Sequence, residues 1–202
     1  MTAALRSRPR GVLDASFPAT IDVEPAASIV ARLHRDPFNA LSAGRFLYLI
    51  ARAINARTIV DCGCGAGLST LYLAAAVHDN FGGRVIGTEA DAALHSSAVA
   101  HLAAAGLEQF VDLRCGSALQ SLVEPLPDRI DLLWISGPED NRGAVLGLLR
   151  SRLRPGAVVM AEPVRSAGGD GGAFVAELRC GTAGFQSATL PYPKGLEFAV
   201  VA

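Results

Sequence analysis

The chain has 202 residues, half of them apolar, and a net charge of −1. That supplies the core of one domain and gives no excess of either sign to attract nucleic acid or an acidic membrane surface, so neither is expected as a partner. No apolar stretch approaches the ~20 residues that span a bilayer, and four cysteines are too few for a disulfide scaffold.

Residues 1–20 read as loose: Met1 to Arg10 is basic but has no apolar signal core. Ile21 to His34 holds a short helix, which Asp36-Pro37 breaks. Leu41 to Ile54 is a clearer helix, with Phe46, Leu49, Ile50, Ala53 and Ile54 on one face. The expected organisation is a single domain over 1–202, with a helical N-terminal segment to residue 56 and an α/β core from residue 57. The cysteines read as small buried residues of a reducing, cytoplasmic compartment, with a zinc site the weaker reading.

The stretch from Thr58 to Thr70, TIVDCGCGAGLST, is the most informative. An apolar run ends at Asp61, glycines follow at Gly63, Gly65 and Gly67, and a helical pattern begins at Leu68. A strand, a glycine turn and a helix in this order let a ligand approach the backbone, with the amides of the helix start facing it. The dinucleotide fingerprint wants its third glycine at the position held by Leu68, but here that glycine has moved up to Gly67. A second strand, Gly83 to Glu89, ends in a carboxylate placed to accept both hydroxyls of a ribose, as nucleoside-binding α/β folds have at the end of strand two.

Asp91 then reads as a helix N-cap and Gly106 as the residue past that helix, whose buried stripe is Leu94, Ala98, Leu102 and Ala105. Phe110 to Arg114, Ile130 to Ile135 and Ala157 to Ala161 are further strands, with a helix over Arg142 to Leu153 closed by Pro155-Gly156. Strands alternating with helices predict a Rossmann-like, doubly wound, mostly parallel sheet of seven strands. Phe185 to Leu190 and Leu196 to Val201 are separated by too few residues for a parallel crossover and predict a C-terminal antiparallel hairpin. Trp134 reads as core, Tyr48 as packing, and His78 and His101 as ordinary boundary histidines. Gly-rich Ser166 to Gly172 reads as a surface connection, with a lid over the acceptor pocket the alternative.

The D-x-G-x-G-x-G order resembles motif I of the class I S-adenosylmethionine-dependent methyltransferases, and the terminal hairpin marks the same fold. From about Phe38 onward the chain looks like the small O-methyltransferases related to catechol O-methyltransferase. The resemblance rests on GRFLYLIARAINARTIVDCGCGAGLSTLYLAAA, GGRVIGTEADAALHSSAVAHLAAAGL, IDLLWISGPEDN, LRPGAVVMAEP and GFQSATLPYPKGLEFAVV. It implies S-adenosylmethionine as cofactor and S-adenosylhomocysteine as its product. Asp61, Gly63, Gly65 and Gly67 would border the methionine end, Ser69 would lie near its carboxylate, and Glu89 would take the ribose. Cys115 to Ala118 would line the adenine, with Ser117 where many relatives carry an aspartate, and Ser136 would border the same pocket.

The chain departs from metal-dependent relatives after two strands. Ser136 takes the place of their first aspartate, and Glu162-Pro163 replaces their Asp-Asn pair. A neutral hydroxyl is a poor ligand for Mg²⁺, so no bound metal is expected. Glu139, Asp140 and Glu162 follow strands at the carboxyl edge and are the candidate general bases. Two readings follow: O-methylation of a small hydroxylated, aromatic acceptor without a metal, or a degenerate relative that binds the cofactor or its product in a regulatory or partner role. Relatives of this kind are often dimers, and apolar Phe38 to Ile54 would contribute to an interface in a homodimer.

Overall fold

The computed structural model describes residues 37–136, 141–162, 171–180, 184–192 and 195–202. Helix α1 spans Pro37–Ala53, so Pro37 opens this helix. A proline suits a first turn because its missing N–H would have no partner there. The expected helix before it, Ile21 to His34, lies outside the described residues.

The alternation then runs β1 Thr58–Cys62, α2 Leu68–Asp79, β2 Arg84–Glu89, α3 Ala92–Ala104, β3 Val111–Cys115, a single-turn α4 Ala118–Ser121, β4 Ile130–Ile135 and α5 Arg142–Leu149. It ends with β5 Leu153–Ala161, α6 Gly171–Arg179, β6 Phe185–Leu190 and β7 Leu196–Val201. The seven strands lie in the order β3-β2-β1-β4-β5-β7-β6. Pairs among β1 to β5 are parallel, while β7 pairs antiparallel with both β5 and β6. The expected doubly wound sheet and terminal hairpin are both present.

Strand residues alternate between two cores, as the period of two requires. Ile59, Leu132, Trp134, Val158 and Met160 pack beneath α1, α2 and α3. Val60, Leu133, Ile135, Val159 and Ala161 face Val145, Leu146 and Leu149 of α5 and Phe174 and Leu178 of α6. Each Val, Leu, Ile, Phe or Met among them, taken fully from water, contributes about 1.5–3 kcal/mol. Helix α1 lies so close on α2 that a Cβ at Gly44 would run into the Tyr72 ring. The Asn80 amide, donating to Ala51 O and Ala56 O, ties the end of α2 to the exit of α1.

Three expectations of the sequence reading are corrected further along the chain. The helix expected to Leu153 stops at Leu149, passes through a 3₁₀ turn at Arg150–Arg152, and β5 already begins at Leu153. Pro155-Gly156 lies inside that strand, where the pairing with β4 shifts register between Ile130 and Leu132. A bulge tolerates a residue with no N–H to give. Second, Gly171 and Gly172 open helix α6, whose Phe174 and Leu178, four residues apart, are fully buried; the rest of the expected lid lies outside the described residues. Third, Cys62 and Cys64 are buried as expected, but Cys115 and Cys180 are exposed.

Candidate cofactor site

The glycine turn between β1 and α2 holds three left-handed residues in five positions, with φ of 77° at Gly63, 57° at Gly65 and 90° at Gly67. Side chains other than glycine reach that region only with strain. A Cβ on Gly67 would also stand 2.8 Å from the Ala98 Cβ of α3, whereas one on Gly65 would meet nothing within 4 Å. Gly67 is therefore glycine for packing as well as conformation, and Gly65 faces open space at the carboxyl edge of the sheet.

Most amides of the turn are already engaged. Gly63 and Cys64 both donate to Thr88 O at 3.0 Å, Gly67 donates to Cys64 O, and Gly65 donates to the Glu89 carboxylate at 2.7 Å. Strand β2 and the turn itself thus consume the amides of these four residues. What stays available is the start of α2, where Gly67 is the N-cap and no side chain caps the first turn. An uncapped helix start favours a carboxylate or another anion.

Asp61, the last residue but one of β1, is fully buried. Its Oδ2 accepts the Ser69 hydroxyl at 2.8 Å and the Thr70 hydroxyl at 2.7 Å. Its Oδ1 is buried and has no partner. Burial raises the carboxyl from 3.8 to about 6, the neighbouring Glu89 charge adds to the rise, and the two hydroxyls only partly offset it. A buried carboxylate oxygen without a donor costs stability unless a ligand supplies one. Thr70 was not singled out from the sequence; its position in the third helical residue, facing back over the turn, was the available signal.

Glu89 closes β2 and is 9% exposed. One oxygen accepts Gly65 N–H and the other Asp91 N–H, which leaves further lone pairs on both oxygens for a diol. Cys115 pairs with Glu89 across β3, and the Gly116 amide donates to Glu89 O, which brings Cys115 to Ala118 beside the same carboxylate. Ser117 caps the single-turn α4 and donates its hydroxyl to the Gln120 side chain at 2.9 Å. Ser136, just past β4, donates its hydroxyl to Gly63 O at 2.8 Å and so clasps the turn from the other side.

Asp61, Gly63, Gly65, Gly67, Ser69, Glu89 and Ser136 are therefore tied together at the carboxyl edge of the sheet, and Ser117 and Ala118 follow Gly116, whose amide donates to Glu89 O. Residues 60–162 match the methyltransferase-domain family. The chain belongs to that family. It is 33% identical over 144 residues to a catechol O-methyltransferase of Mycobacterium tuberculosis, covering 71% of this chain and 64% of that protein. A catechol O-methyltransferase of Niastella koreensis is 32% identical over 124 residues, covering 60% of this chain and 55% of that protein. The chain thus aligns with less than two thirds of the length of these relatives.

Among solved structures, an O-methyltransferase of Bacillus cereus in complex with S-adenosylhomocysteine has the same fold, with a TM-score of 0.78 at 23% identity and 95% of each chain covered. An O-methyltransferase of Streptomyces achromogenes involved in tomaymycin synthesis, in complex with S-adenosylmethionine, aligns at 26% identity and a TM-score of 0.72, covering 88% of this chain and 89% of that one.

The acceptor side of this methyltransferase domain is less fully described. Glu139 and Asp140 lie outside the described residues. Glu162 follows β5 at half-exposure, its amide donating to Ile135 O. Tyr192, from the turn of the terminal hairpin, packs its ring 6.0 Å from that of Phe46 on α1. Burial raises the Tyr192 phenol, and the Glu162 charge raises it further, so the two side chains belong to one neighbourhood. Among the described residues no three His, Cys, Asp or Glu side chains cluster as metal ligands. The Ser136 proton is committed to a backbone carbonyl, so at the ends of β4 and β5 the described donors amount to one hydroxyl and one carboxylate. No helix of the described residues is long and apolar enough to cross a membrane.

Proposed function

We propose that this chain is an S-adenosylmethionine-dependent O-methyltransferase acting on a small hydroxylated, aromatic acceptor without a resident metal. The observation that carries the reading is the unpartnered, fully buried Oδ1 of Asp61 beside a glycine turn whose amides are already engaged. A dinucleotide places its pyrophosphate on the free amides of such a turn. Here Gly63, Cys64, Gly65 and Gly67 have none to give, whereas a buried carboxylate and an uncapped helix start suit the ammonium and carboxylate of an amino acid.

In this reading Asp61 receives the amino group, the first turn of α2 with Ser69 receives the carboxylate, Glu89 the ribose hydroxyls, and Cys115 to Ala118 the adenine. The cofactor, when bound, supplies a methyl group activated by a sulfonium. The chain's own part is to hold the acceptor oxygen aligned and dry beside it. Phe46 and Tyr192 would offer aromatic surface for the acceptor ring, and Glu162, whose charge reaches the Tyr192 phenol, would take the acceptor's hydroxyl proton. Glu139 and Asp140 stay in the proposal as alternative bases. A cytoplasmic, single-domain protein is part of the same reading. So is a homodimer through α1, on which Leu49 is 61% exposed.

Thermal shift with S-adenosylmethionine, S-adenosylhomocysteine and NADH tests the cofactor. A ligand at about 100 times its dissociation constant stabilises by about 2.7 kcal/mol. The expected result is stabilisation by the first two, unchanged by EDTA, followed by turnover on a panel of phenols and catechols. Stabilisation by NADH alone would end the reading; cofactor binding with no turnover on any acceptor would leave a binding protein in its place.

A further inference from the structure

The first half of the glycine turn is held from β2, through Thr88 O and the Glu89 carboxylate. The second half, Ala66-Gly67, has a different support. Helix α3 lies against it: Gly67 packs so closely on Ala98 that no Cβ fits, and the Ala66 carbonyl accepts a hydrogen bond from His101 Nδ1 at 2.8 Å. Ala66 is 5% exposed, and its carbonyl precedes the N-cap residue, whose own carbonyl accepts the helical bond from Leu71. Without His101 a buried carbonyl at the mouth of the site would lose this donor.

We infer that His101 is a positioning residue of the cofactor turn. Acting through Ala66 O, it fixes the hand-over from Gly65 to α2 and so the placement of the uncapped helix start. It reaches across 35 residues of sequence from the flank of α3 and is not among the groups proposed to touch the cofactor. Nδ1 donates in this contact, so the ring is either the Nδ1–H neutral tautomer or the imidazolium, and both make the same bond. With three left-handed residues in five, the turn has little stiffness of its own, which is why an outside brace matters.

The inference rests on the turn being the cofactor site, and the test separates the two. His101→Leu removes the donor. His101→Asn keeps one, because the asparagine amide nitrogen stands the same number of bonds from the backbone as Nδ1. In unliganded protein, backbone amide exchange at residues 67–70 is expected to quicken in His101→Leu and to stay near wild type in His101→Asn. Affinity for S-adenosylhomocysteine, measured by calorimetry, is expected to fall about tenfold in His101→Leu and to return in His101→Asn, with acceptor KM unchanged.

Unchanged exchange and affinity in His101→Leu would overturn the inference, as would equal impairment of both variants, which would make ring packing the cause. If His101→Leu does not fold, His101→Gln replaces it, since its amide nitrogen lies one bond too far out. If wild type binds no S-adenosylhomocysteine, the proposed function fails, and the exchange measurement alone decides whether His101 braces the turn.

Discussion

Replacing Asp61 by asparagine separates what this side chain does for the fold from what it does for the ligand. Burial holds its carboxyl at about 6 instead of 3.8. A carboxyl raised in this way works against folding while it is ionised. The penalty is full well above pH 6, shrinks as pH falls through that value, and is gone below the unfolded value of 3.8. At ~1.36 kcal/mol per unit the full penalty is about 3 kcal/mol; at pH 4.5 about 1 kcal/mol of it remains. Asp61→Asn removes the titration but leaves an amide donor at the Oδ1 position, a cost of about 1–3 kcal/mol that does not vary with pH.

The informative quantity is therefore the difference in stability between variant and wild type across pH. It is expected to move by about 2 kcal/mol in favour of the variant between pH 4.5 and 7.5, or roughly 4–8 °C in melting temperature for a domain of this size. Over the same interval S-adenosylhomocysteine affinity of the wild type is expected to weaken as pH drops below about 6, where Asp61 takes up a proton, while the variant binds poorly at every pH. Differential scanning calorimetry without ligand and titration calorimetry with it give both numbers. A variant-minus-wild-type difference that stays flat with pH would refute the buried-charge argument.

Gly65→Ala and Gly67→Ala are expected to part company. A Cβ at Gly65 meets no protein atom within 4 Å, so melting should fall only by the strain of a left-handed alanine, about 1–2 kcal/mol, while cofactor binding drops at least tenfold; Gly67→Ala adds a Cβ driven into Ala98 to the same strain and should lose more stability as well as binding, read by melting and calorimetry together. Glu162→Gln is expected to lower kcat with S-adenosylhomocysteine affinity unchanged; an unchanged kcat would pass the role to Glu139 or Asp140. Glu197→Gln should cost about 2–3 kcal/mol in denaturant unfolding, because the fully buried Glu197 carboxylate holds Arg179 of α6 together with the hydroxyls of Ser187 and Thr189. The figure stays modest because Arg179 is half-exposed and screened. Asp131, by contrast, gains from its setting: burial works to raise it, but Arg154 and the amides of Thr58 and Arg57 outweigh that and hold it below the usual carboxylate range. Its contribution is expected to be present above the unfolded value of 3.8 and lost in acid, and Asp131→Asn should flatten that part of the acid melting profile.

The sheet was legible because its strands carry long apolar runs and its glycine turn has one conformational meaning. Asp91 showed as an N-cap and Gly106 as the residue beyond a helix end for equally local reasons, and the structure bears out both. Helix α6 was missed because its two glycines masked the Phe174–Leu178 spacing, and α4 because four residues carry no periodicity. That Asp61, the three glycines and Ser69 lie together was readable from the motif, since consecutive positions 61–69 must lie near one another. Partnerships between distant segments were not. That β2 consumes the amides of the turn, that Thr70 turns back onto Asp61, and that His101 braces Ala66 are products of tertiary register, which one strand or helix pattern does not encode.

The central claim is tested most directly by a crystal structure of the chain soaked with S-adenosylhomocysteine. The account requires the ligand's ammonium within hydrogen-bond distance of Asp61 Oδ1, its carboxylate over the first turn of α2, and both ribose hydroxyls on Glu89. An empty turn, or a ligand that leaves Asp61 Oδ1 without a donor, would contradict it.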